Sequence, residues 1–138
     1  MSNQTAISND TKTCDQLSKS SVPQWIPARR MPHRNITPVA WFEYDFESLI
    51  SQFKARASTD AYGGGAGRCQ WFCLMLHNGR YATICRWDKT PGSIEVSLEL
   101  RAGGRVDIED LEQVLEPLCV DFRSVLRQNA FLWKHRRG

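Results

Sequence analysis

CQWFCLMLHNGRYATICRWDKTPGSIEVSLELR, residues 69–101, holds the densest apolar patterning of the 138-residue chain and decides its fold. Three consecutive strands are expected in it. Asn78-Gly79 is the preferred dipeptide for a two-residue type I′ turn, because both central positions need φ > 0. That turn pairs His77 with Arg80, Leu76 with Tyr81, Leu74 with Thr83 and Phe72 with Cys85. One face then carries Phe72, Leu74, Leu76, Tyr81, Thr83, Cys85 and Trp87. The other carries Trp71, Cys73, Met75, His77, Arg80, Ala82, Ile84 and Arg86. Residues 94–101 alternate strictly, Ile94, Val96, Leu98 and Leu100 against Glu95, Ser97, Glu99 and Arg101, the period of a half-buried strand. Asp88-Lys-Thr-Pro-Gly-Ser93 has the chemistry of a second tight reversal. With Trp87 and Ile94 flanking it on one face, the apolar sides of all three strands merge.

Upstream, Phe42, Phe46, Leu49, Ile50 and Phe53 recur at helical spacing, predicting an amphipathic helix over about residues 44–57. Asp45 or Glu43 suits its N-terminus, and Lys54 and Arg56 its C-terminus. Residues 62–68, YGGGAGR, follow a helix and precede a strand. A phosphate cradle needs the reverse order, so a flexible connector is expected. Downstream, Gly103-Gly104 turns the chain, and Asp107 is a plausible N-cap for a helix buried through Ile108, Leu111, Val114 and Leu115. Pro117 should end or kink it. Residues 120–128 read as a short helix capped by Asp121, or as a fourth strand over 120–126. Phe131, Leu132 and Trp133 read as a terminal anchor.

Residues 1–22 are polar and short of large apolar groups, so they cannot offset their ordering entropy and are expected to be a disordered tail. Residues 23–40, PQWIPARRMPHRNITPVA, contain Pro23, Pro27, Pro32 and Pro38, which exclude a helix and predict an extended arm. The remainder, 41–138, is read as a single domain. The expected fold is α+β: an antiparallel meander of three or four strands with helices on one face, in the order α-β-β-β-α-α.

The net charge of +3 is mild; residues 1–40 hold five basic and two acidic residues and so account for all of it. Cys14, Cys69, Cys73, Cys85 and Cys119 are an odd set without disulfide-framework spacing. The N-terminus lacks an apolar signal core, and no run is long enough to span a membrane. A cytoplasmic protein with reduced thiols is expected.

Cys69, Cys73 and His77 share a strand face but stand ~13 Å apart in succession. One metal ion with bonds of about 2.0–2.3 Å cannot bridge them, so no metal site is expected. No thiol has an imidazole in reach, and Glu109, Asp110 and Glu112 read as a solvated helix face. Neither enzyme activity nor a cofactor is expected. The order helix, three strands, helix also occurs in double-stranded RNA-binding modules. Those present lysines at the start of the second helix, whereas Asp107-Ile-Glu-Asp-Leu-Glu112 would repel a phosphate backbone. Element order is shared equally with small secretion-chaperone-like and toxin-immunity-like folds.

The second sheet face is the remaining candidate. Trp71, Arg80, Arg86 and Glu95, with Trp25 and Arg29 from the arm, compose the expected partner-binding set. Arg86 is placed between Trp71 and Glu95 for a cation–π contact and an ion pair. Trp and Arg dominate interface hot spots, so a small protein-interaction module is expected: an adaptor, chaperone or inhibitor. The alternative is a nucleic-acid binder using Arg29, Arg30, Arg34, Lys134, Arg136 and Arg137.

Overall fold

The computed structural model describes residues 22–31, 35–62, 67–129 and 132–133. The expected tail (save Val22), His33, Arg34, the glycine-rich residues 63–66, Phe131 and the basic end at 134–137 fall outside them.

The strands are β1 (Gln24–Ile26), β2 (Ile36–Glu43), β3 (Ser58–Tyr62), β4 (Gly67–Met75), β5 (Tyr81–Trp87), β6 (Ser93–Glu99) and β7 (Leu126–Arg127). The helices are α1 (Phe46–Phe53) and α2 (Ile108–Leu115). Among the described residues, seven strands make one antiparallel sheet in the order β1-β4-β5-β6-β2-β7, with β3 also pairing β4. The architecture is α+β, with more strands than the three or four expected. The additional ones come from segments whose sequence does not alternate. β1 and β3 divide one edge of β4, at residues 73–75 and 67–71. β2 closes the opposite edge along β6. Residues 24–26 and 36–40 thus lie in the sheet, where they satisfy edge N–H and C=O groups that would otherwise stay unpaired. Pro38, which lacks an N–H, is tolerated beside a bulge, where the register slips between Pro38 and Ala40.

The central hairpin departs from its expected register. The Leu76 N–H donates to Arg80 O (2.8 Å) and the Gly79 N–H to Leu76 O (3.0 Å). Gly79 has φ +85°, while Asn78 stays at negative φ. This is a three-residue loop, a turn closed by a left-handed glycine, rather than the two-residue type I′ turn. One extra loop residue shifts the pairing by one, which turns every β5 side chain to the opposite face. Phe72 faces Ile84 and Leu74 faces Ala82, not Cys85 and Thr83. Arg86, rather than Trp87, stands opposite Ile94. Burial explains the choice: this register places Ala82 and Ile84 in the core and leaves Tyr81, Thr83 and Trp87 half-buried.

The core joins Phe72, Leu74, Leu76, Ala82, Ile84, Ile94, Val96 and Leu98 to Phe46, Leu49 and Phe53 of α1 and Leu111, Val114 and Leu115 of α2. The Phe72 ring lies between two helix rings, 5.9 Å from Phe46 and 6.0 Å from Phe53. Asp45 caps α1, its carboxylate accepting from the Ser48 N–H at 3.0 Å, and Lys54 ends it in the left-handed region at φ 53°. Asp107 caps α2, accepting from the Glu109 N–H at 3.0 Å. Beyond Pro117 neither the expected third helix, running to about residue 128, nor a strand over 120–126 forms, so the element order is not the expected α-β-β-β-α-α. Asp121 caps a 3-10 turn at Phe122–Ser124, and a two-residue strand, β7, then pairs Leu126 with Trp41.

Candidate functional site

The face away from the helices is set by the register just described. Three rows of side chains cross it. Ile26, Cys73, Thr83, Ser97 and Pro38 form one row. Ser58, Trp71, Cys85, Glu95, Trp41 and Leu126 form the next. Asp60, Cys69 and Trp87 begin a third. Its floor of small groups, Cys69, Cys73, Cys85 and Ser97, is buried, while Trp71 and Trp87 stand half-buried above it.

Each of these two indoles donates to a carboxylate. Trp71 Nε1 donates to Asp60 Oδ2 at 2.5 Å, and Trp87 Nε1 to Glu95 Oε1 at 3.1 Å. The other Glu95 oxygen accepts from Gln128 Nε2 at 3.1 Å, so the segment after β7 helps to orient it. Beside this arrangement, Trp41, Trp87, Thr90, Ser93, Glu95 and Gln128 line a shallow pocket of about 240 Å³. Trp41 is 38% exposed and Leu126 53%, and these two are the large exposed hydrophobic side chains among the described residues. They are direct cross-strand partners.

The buried thiols are poor nucleophiles. Burial pushes Cys73 up to about 12 and raises Cys69 and Cys85 as well, and Cys69 partners Cys85 diagonally across β4 and β5. A thiol held above its ordinary range is scarcely ionised near neutrality, and the thiolate is the reactive form. All three are free, whereas Cys119 is disulfide-bonded, which departs from the expected fully reduced set. Among the described residues, no group of three or more His, Cys, Asp or Glu side chains is arranged to hold a metal ion.

The expected binding set is dispersed. Trp71 and Glu95 lie in one row of this face. Arg86 lies on the helix-bearing face, over the Phe46 ring at 5.1 Å, with its Nη2 donating to Gln70 Oε1. The expected Arg86 contacts with Trp71 and Glu95 therefore do not form, because the shifted register reverses β5. Arg80 binds the start of α2, 3.3 Å from Asp110 Oδ2 and 3.7 Å from Asp107 Oδ2. Trp25 stands opposite Leu74 and packs on the core. Arg29 is exposed in a 3-10 turn, Ala28–Arg30.

Trp41, Trp87, Leu126 and Gln128 complete the site and were not among the sequence candidates. The two-residue turn puts Trp87 on the core face, and Trp41 precedes the expected helix over about 44–57 without a role of its own. The signal for Trp87 was the three-residue option for the Asn78-Gly79 loop; nothing local marks Leu126 or Gln128. Comparison of the chain with protein-family models, with curated proteins and with solved structures finds no match.

Proposed function

We propose that this chain is a small, non-enzymatic protein-interaction module that docks a partner through the open sheet face at its Trp41 edge. The adaptor, chaperone and inhibitor or immunity roles all fit that reading. The observation carrying it is the pairing of Trp41 with Leu126, two exposed apolar side chains placed side by side next to a pocket. Apolar and aromatic groups that pack no core are costly in water and are enriched where a partner removes them from it. Of the sequence candidates, Trp71 and Glu95 remain in the proposed contact area.

The nucleic-acid alternative keeps exposed Arg29 and Arg30 as its described basic residues. It draws less support, because the strands present Glu43, Asp60, Glu95 and Glu99 on the open face and no Lys or Arg among the described residues there. A cytoplasmic setting suits the three free buried thiols, and the Cys119 disulfide weighs against it. Among the described residues no helix is long and apolar enough to cross a membrane.

The test is affinity capture with the wild-type chain, Trp41→Ala and Leu126→Ser in parallel, under nuclease treatment. A partner retained by wild type and lost from both variants supports the reading. A partner held equally by all three removes this face from consideration.

A further inference from the structure

The pocket beside Trp41 has a definite chemistry. Its volume of about 240 Å³ is below the roughly 300–1,000 Å³ of sites that enclose drug-sized ligands. It suits a single inserted side chain rather than a cofactor. Its walls are indole, and its polar end is the Glu95 carboxylate.

Glu95 is held in place by two neutral donors, Trp87 Nε1 and Gln128 Nε2, each at 3.1 Å. Neutral donors orient a carboxylate without cancelling its charge. A carboxylate has about four acceptor positions, so two such bonds leave capacity for a further donor. No Lys or Arg is among the residues lining the pocket. Glu43, opposite the lining residue Ser93 on the neighbouring strand, adds a second carboxylate near the pocket. The exposed Trp41 indole adds the aromatic surface best suited to attract a cation.

We infer that this pocket takes an arginine side chain presented by the partner protein, with the guanidinium stacked on Trp41 and bonded to Glu95. This rests on the docking face proposed above and names the group that face receives. Arginine is favoured over lysine on geometry. A planar guanidinium stacks on an indole while its edge donates to a carboxylate, and it is more weakly hydrated than an ammonium. The fold itself uses such stacking elsewhere: the Arg127 guanidinium lies 5.3 Å from the Trp133 ring and 5.5 Å from the Phe122 ring.

The probe is the peptide acetyl-Gly-Arg-Gly-amide, titrated into the full-length chain and followed by the indole N–H resonances of Trp41 and Trp87. The same peptide with citrulline, which keeps the shape and loses the charge, is the control. Saturable shifts of both indoles with arginine only, weakened roughly tenfold or more in Glu95→Gln and in Trp41→Ala, are expected. Glu95→Gln keeps an acceptor for Trp87, so its fold can be verified by an unchanged indole spectrum of Trp25 and Trp71. Equal binding of the citrulline peptide, or of the Glu95→Gln variant, overturns the assignment. Arg136→Gln/Arg137→Gln in the full chain supplies the other arm. A tenfold gain in probe affinity there identifies the chain's own C-terminal segment as the occupant and overturns a partner-derived arginine. Leu126 lies outside the pocket lining, so the two readings separate. Loss of partner capture in Leu126→Ser without arginine-peptide binding sinks the pocket and leaves the face. Peptide binding with capture indifferent to Leu126→Ser does the reverse.

Discussion

The side-chain amide of Asn78 donates to Asp110 Oδ1 at 2.7 Å, tying the tip of the central hairpin to the first turn of α2. Asp110 is 1% exposed, and its other oxygen accepts from Arg80 Nη1 at 3.3 Å. The Asn78 Oδ1 also accepts from the Arg80 N–H at 2.9 Å, which stabilises the loop from within. One carboxylate therefore holds both a turn and a helix end. Asp110→Ala leaves an amide and a guanidinium without their acceptor, and a loss of about 1–3 kcal/mol in urea denaturation is expected.

The same carboxyl gives a pH signature. Burial raises it above its ordinary value, with Asn78 and Arg80 drawing it partly back. A carboxyl whose folded pKa lies above its unfolded value favours folding most when protonated. Its contribution is present below the unfolded pKa and is lost as pH rises through the folded one. The stability of wild type relative to Asp110→Asn should fall as pH climbs from the ordinary carboxyl value of 3.8 through the raised folded one. A difference that grows with pH would show that the Arg80 ion pair outweighs the burial.

Register is checked by two adjacent substitutions in β5. Ile84 is 0% exposed in the core, while Thr83 faces the open side. Ile84→Ala should cost about 2–5 kcal/mol and Thr83→Ala well under half of that. The opposite ranking is what the two-residue turn would give.

Gly79, at φ +85°, has nothing within 4 Å of where a Cβ would stand. Substitution there is limited by the backbone alone. Gly79→Ala should lower stability by about 1–2 kcal/mol, and Gly79→Asn by less, since Asn tolerates the left-handed region. Thermal unfolding of the pair measures this. Equal effects would show that the loop had changed type.

Cys69, Cys73 and Cys85 should resist alkylation near neutral pH in the folded protein, because burial raises all three. Peptide mapping after iodoacetamide treatment should find them unmodified natively and labelled in urea. Labelling at native rates comparable with those in urea would mean that this face opens readily.

Periodicity along residues 69–101 was enough to establish three adjacent strands, and apolar spacing with acidic caps at Asp45 and Asp107 established both helices. These features are local: strand and helix repeats and N-cap chemistry are written over a few successive residues. The face to which β5 turned was not. It depended on one loop residue, and two loops compatible with Asn78-Gly79 place Ile84 on opposite sides. The choice was made by what lay across the fold, namely the burial of Ala82 and Ile84 under the helices and the Asn78–Asp110 bond over 32 positions. The site followed the same rule. Glu95 was visible as a strand carboxylate, but its partners Trp41, Trp87 and Gln128 come from β2, β5 and the segment after β7. Pairing across a sheet joins residues that no sequence interval connects, so tertiary structure alone brought Trp41 beside Leu126 and set the pocket next to them.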